Sequence, residues 1–145
     1  MDFGKWELSI PRNKDGSCPI PHLSVLRLIV KNKNGELLYR NSPWANYVLP
    51  NEHKIYEHRL WNPPKKYQFK WKKPAKIENI KIYECHVGIA SPEYGVATYD
   101  NFTEKVIPRI KSQGYNAIQL MAVMEHAYYA SFGYQVTSFF APSSR

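Results

Sequence analysis

The sequence predicts a mixed fold: an all-β half of sandwich type, then a βαβ unit with two parallel strands. Three observations predict it. Short apolar runs broken by Asn-Gly and Pro-Pro fill residues 5–71, helix start and stop signals flank residues 98–114, and a glycine-led apolar run occupies residues 117–123.

In the first half, Trp6, Leu8 and Ile10 alternate before Pro11 and predict a strand. Residues 25–31 (VLRLIVK) and 36–39 bracket Asn34-Gly35, a strong hairpin signal because both residues accept the left-handed backbone that tight turns require. Residues 47–49 and 67–71 are further predicted strands, with Pro63-Pro64 and Pro74 as breaks. Residues 72–78 (KKPAKIE) are charged, Pro-broken and poor in apolar side chains, as a short linker is. The domain division that follows is 1–73, a linker at 74–78, and 79–145.

Residues 79–84 (NIKIYE) predict the first strand of the second unit. Thr98 is a candidate N-cap and Asp100 suits a first turn; Phe102, Val106 and Ile110 form an apolar face, and Gly114 suits the stop. Pro108 interrupts the pattern and predicts a kink, since it cannot donate to the carbonyl of Glu104. Residues 117–121 predict the second strand, and a parallel pairing requires such a crossover. The loop that follows is dense in Glu125, His126, Tyr128, Tyr129 and Tyr134. Ligands of parallel sheets bind beyond the carboxyl ends of the strands, so this loop is the expected functional region.

Of the 145 residues, 43% are hydrophobic and 22% charged, enough to bury a core. No run approaches the roughly 18 apolar residues of a membrane helix, and the start MDFGKWELSI has neither the basic region nor the apolar core of a secretory signal. A cytoplasmic location and no membrane partner are expected. Cys18 and Cys85 lack CxxC or Cys/His spacing and are read as reduced thiols rather than as a disulfide or metal ligands. The formal charge of +8 and the lysines at 65, 66, 70, 72, 73 and 76, interleaved with Tyr67, Phe69 and Trp71, suit a phosphate-binding surface or lysines guarding an exposed edge. No nucleic-acid motif accompanies them, so the second reading is preferred and no nucleic-acid partner is expected.

Residues 82–91 (IYECHVGIAS), 98–116 (TYDNFTEKVIPRIKSQGYN) and 114–140 together closely resemble the eukaryotic 1,4-α-glucan (glycogen or starch) branching enzymes of the α-amylase superfamily, glycoside hydrolase family 13. The resemblance implies that residues 1–73 are the later part of a family 48 carbohydrate-binding module, an immunoglobulin-like sandwich. It implies that residues 79–145 are strand 1, helix 1, strand 2 and the following loop of a (β/α)8 TIM barrel. It also implies glycosyl transfer on α-1,4-glucan (glycogen, amylose, amylopectin) without cofactor or metal, in a full-length protein that is a monomer.

Retaining chemistry of this kind needs two carboxylates about 5–5.5 Å apart. In the family that pair follows later barrel strands, so none of these residues is expected to be catalytic and the chain alone is expected to be inactive. Glu84 and Glu125 stand near the two strand ends but match no catalytic motif; Glu125 with His126 is expected to orient the loop through hydrogen bonds. The resemblance makes Tyr134, in the FGYQ segment, the leading substrate contact, with a core tyrosine as the alternative; an aromatic face packs against a pyranose while its hydroxyl bonds a sugar hydroxyl. Gln135 is its weaker neighbour. His86 could line the same mouth or serve as a hydrogen-bonded structural residue. Tyr128, Tyr129 and Phe132 are read as acceptor-side wall or packing. Asp2, Phe3, Gly4 and Lys5 match a segment that touches glucan on the sandwich module, while Trp6 and Trp44 are expected in the core. A stand-alone glucan-binding or interaction protein is the alternative function.

Overall fold

The computed structural model describes Gly4 and residues 7–144, which form short strands paired two by two, a helical run between the two parallel strands, and short 3-10 turns that include Val87–Ile89 and Tyr129–Ser131. Strand β1 (Leu28–Lys31) pairs antiparallel with β2 (Leu37–Arg40), Ile29 facing Tyr39. The predicted hairpin is therefore present, with a longer loop organised by Asn32. The Asn32 Oδ1 accepts from the Asn34 and Glu36 amides at 2.9 and 3.0 Å, and Gly35 takes the positive φ of 84° that closes the turn.

Strands β3 (Val48–Pro50) and β4 (Tyr56–His58) form a second antiparallel pair, its turn held by Asn51, whose Oδ1 accepts from the His53 and Ile55 amides. Asn41 extends this pair without being a strand residue: its side chain donates to the Tyr56 carbonyl at 2.8 Å and accepts from the His58 amide at 3.2 Å. Glu57 draws in Arg27 at 2.8 Å and Arg59 at 2.5 Å. Burial pushes the Glu57 carboxyl up, but Asn51 and the two guanidiniums together hold it below its ordinary value.

Two predicted strands do not form. Residues 7–10 and 67–71 run outside any sheet, and Phe69 and Trp71 are 87% and 85% exposed. Their alternation is strand-like, but among the described residues no neighbouring strand satisfies their backbone groups, and an unpaired strand is not stable in water. Trp44, expected in the core, is 71% exposed; Trp6 lies outside the described residues.

In the second half, β5 (Ile82–His86) and β6 (Ala117–Met121) pair in parallel, with Cys85 opposite Leu120. The second strand matches the predicted residues; the first begins three residues later than expected. Asn116 explains the offset. Its Oδ1 accepts from the Lys81 amide at 2.7 Å and its amide group donates to the Asn79 carbonyl at 2.8 Å, so a side chain takes up the bonds that strand pairing would otherwise make there.

Between the strands runs a helical segment: α1 (Tyr99–Asn101), a π-helical stretch (Phe102–Val106) and α2 (Ile107–Ser112). Thr98 caps it, its side chain accepting from the Asn101 amide at 3.1 Å. Phe102, Val106 and Ile110 are buried with Cys85 and Val87 in one cluster. Burying each large apolar side chain is worth about 1.5–3 kcal/mol, so packing rather than the cap, worth about 1 kcal/mol, holds the helix on the strands. Pro108 is accommodated by the π-helical stretch immediately before it, where the Ile107 amide reaches back to the Phe102 carbonyl. Gly114 ends the run with φ 85°.

The predicted loop after β6 contains a further sheet that the sequence pattern does not signal. Strand β7 (Met124–Glu125) pairs antiparallel with β8 (Ser138–Pro142). Ala141 of β8 is buried with Ala45 and Val48, and Tyr56 packs against them, so the end of the chain closes a core begun in the first half.

Candidate functional site

The loops after β5 and β6 meet beyond the carboxyl ends of the parallel pair. There they wall a cleft of about 490 Å3 whose lining includes His86, Ile89, Tyr94, Tyr129 and Phe132. His86, the last residue of β5, is buried, and its Nε2 donates to the Phe132 carbonyl at 3.0 Å, which ties the first strand to the second loop. The two rings meet edge to face at 6.2 Å. The His86 Nδ1 is buried without a hydrogen-bond partner among the described residues.

The second loop is built on strained backbone. Phe132 takes φ 53° and Gly133 φ 87°, and a Cβ at Gly133 would lie 2.4 Å from that of Ala122, itself at φ 57°. Only glycine lets the FGYQ segment pass so close to the strand end. From this point Tyr134 projects with 88% of its surface exposed, and Gln135 beside it is exposed as well. Their backbone amides are held locally, Tyr134 to the Ser131 carbonyl at 3.1 Å and Gln135 to the Ser131 hydroxyl.

Glu125 and His126 lie fully buried beneath this loop. The Glu125 carboxylate accepts from the His126 amide at 3.0 Å and from the Ser144 amide at 2.9 Å, while the His126 Nδ1 donates to the Met124 carbonyl at 2.9 Å. A carboxylate so occupied orients the loop, the part read for it in the sequence. Glu84 is exposed, with the Gln119 amide group 3.3 Å away.

Of the expected contact residues, the geometry gathers His86 into the cleft and leaves Tyr134 and Gln135 outside its lining. Gly4 is exposed at φ 65°; Asp2, Phe3 and Lys5 lie outside the described residues. Tyr94 in the cleft wall and Tyr56, packed against Ala45, Val48 and Ala141, carried no sequence signal, since neither has a motif and each reaches its place only through chain folding. Burial raises the Tyr56 phenol above its ordinary value and the Glu125 charge adds to the effect, while Ser144 opposes it. Cys18 and Cys85 are free thiols.

A parallel strand pair with a helical crossover packed on it is the arrangement of an α/β unit. No family model matches the chain. Across its whole length it is 54% identical to the 1,4-alpha-glucan-branching enzyme of Felis catus. Over 99% of its length it is 53% identical to that of Emericella nidulans and 49% identical to that of Dictyostelium discoideum. The chain is similar along its whole length to these eukaryotic 1,4-alpha-glucan-branching enzymes, and it spans about a fifth (21–22%) of their length.

Proposed function

We propose that this chain is part of an enzyme that forms α-1,6 branches in glycogen or starch by glycosyl transfer, and that its own contribution is to bind α-1,4-glucan. The similarity to branching enzymes along the whole chain carries this reading. In it, residues 1–73 are the later part of a family 48 carbohydrate-binding sandwich, 74–78 a linker, and 79–145 the opening βαβ unit of a (β/α)8 barrel in a cytoplasmic, monomeric parent. The parallel register of β5 and β6 and the helix packed on them support the barrel assignment.

Tyr134 is the glucan contact, its exposed ring available to a pyranose face with Gln135 beside it, while His86 lines the separate cleft and is tied to the same loop through the Phe132 carbonyl. Asp2, Phe3, Gly4 and Lys5 supply a second contact on the sandwich. The 145 residues alone form no branches. Retaining transfer needs a nucleophile and an acid/base about 5–5.5 Å apart; Glu125 is fully buried and already engaged by two amides, and Glu84 stands exposed without an acidic partner in its hydrogen bonds.

Passage over immobilised amylose tests the binding. The chain is expected to be retained and eluted by maltoheptaose, and Tyr134→Ala to pass with little delay. Passage of the unaltered chain, or equal retention of the variant, overturns the assignment. New α-1,6 linkages after incubation with amylose would overturn the inactivity.

A further inference from the structure

We propose that Asn34 is a modification site: in the folded chain its side-chain amide is converted to a carboxylate, through a cyclic imide with Gly35, whenever the β1–β2 turn opens. Asn34 and Gly35 are both exposed, and among the described residues the Asn34 side chain makes no hydrogen bond. Of the asparagines in the chain, only Asn34 precedes a glycine. That matters because the backbone nitrogen of the next residue must swing onto the asparagine Cγ, and a side chain there obstructs the approach. Around Gly35 the space is open: the nearest heavy atom to where a Cβ would stand is the Lys31 Cε, at 3.8 Å. In the reaction the Gly35 nitrogen bonds to the Asn34 Cγ and the Cγ–Nδ2 bond breaks. The Nδ2 leaves as ammonia, taking the proton that the Gly35 amide gives up. Water then opens the imide, at the side-chain carbonyl to leave aspartate or at the main-chain carbonyl to leave isoaspartate. Either product adds one negative charge to the turn, and the second also reroutes the backbone through the side-chain carbon.

The turn holds the reaction back. The Gly35 amide donates to the Asn32 carbonyl at 3.0 Å, and the Asn32 Oδ1 accepts from the Asn34 and Glu36 amides. The nucleophile is engaged and the backbone fixed until these bonds part. Little else keeps them together: all four residues of β1 and three of the four in β2 are exposed, and the hairpin adds no residue to either buried cluster. An element with few buried contacts and solvent-exposed bonds opens at low free energy. The other asparagines lack this combination. Asn41, Asn51 and Asn116 spend their side chains on backbone groups, and the exposed Asn46 is followed by Tyr47. The comparable Asp15-Gly16 step has its Asp15 Oδ1 held by the Ser17 amide at 2.9 Å, and a carboxylate is a poorer electrophile than an amide.

Timed incubation of the full 145-residue chain in mildly alkaline buffer, followed by pepsin digestion in acid and mass spectrometry, tests the site. The peptide holding Asn34 is expected to gain the mass of an NH2-to-OH exchange and the peptide holding Asn46 none. Methyl transfer from S-adenosylmethionine by an isoaspartyl methyltransferase is expected to rise in step, and Asn34→Ser to abolish both signals at this peptide. In denaturant, where the turn is absent, conversion is expected to run about two- to tenfold faster, the effect of one turn hydrogen bond. Asn32→Ala removes the acceptor of the Asn34 and Glu36 amides and is expected to move the rate in buffer toward that of the denatured chain. No mass gain at Asn34 in buffer over the time in which the denatured chain converts overturns the proposal, as does conversion at Asn34 no faster than at Asn46. Equal rates in the folded chain, the denatured chain and Asn32→Ala overturn the control by the turn.

Discussion

Gly133 sets the course of the FGYQ segment, because a methyl group there would meet the Ala122 backbone at 2.9 Å as well as its side chain. Gly133→Ala combines that overlap with a strained φ and is expected to destabilise by about 2–4 kcal/mol, seen as a lowered denaturation midpoint. His58 gives a pH dependence. Burial lowers its pKa from the ordinary 6.5, so the unfolded chain takes up a proton more readily than the folded one. Stability is therefore present above pH 6.5 and lost as pH falls through the lower folded value; His58→Gln is expected to flatten denaturation midpoints between pH 7 and 5. The loss from Glu57, held below its ordinary 4.5, belongs to still more acid solution, which keeps the two windows apart.

The helical run shows which parts of the fold are written locally. Thr98, Phe102, Val106, Ile110 and Gly114 were all legible, because caps and apolar spacing act within one element. Ile110→Ala is expected to cost about 2–5 kcal/mol and Thr98→Ala only about 1 kcal/mol in chemical denaturation, which ranks packing above capping. Pro108 was legible as an interruption, but its resolution as a π-helical stretch was not. A four-residue step overshoots an α-turn of 3.6 residues by about 40°. The wider π-turn undershoots it, so the drift from Phe102 to Val106 offsets that from Val106 to Ile110 and both reach the core. Residues 7–10 and 67–71 failed as strands for the opposite reason: alternation states which face a strand would bury, and says nothing of whether a partner is there. The β7–β8 pair was equally illegible, since it depends on Glu125 reaching Ser144 across the loop.

At the scale of the molecule, large apolar side chains stay uncovered, Trp44, Phe69, Trp71 and Phe139 among them, and each sheet described has only two strands. Such surfaces and edges bind other chains. The 145-residue chain is expected to bind a hydrophobic dye and to self-associate as concentration rises, measured by fluorescence and light scattering; a sharp, concentration-independent melt of a monomer would contradict this. The closing of Ala45 and Val48 against Ala141 also has a bearing on synthesis. As the polypeptide leaves the ribosome, the β3–β4 hairpin emerges early and must wait, its apolar side bare, until residue 141 follows it out. A holding chaperone would find its target in that interval, before the two segments can meet.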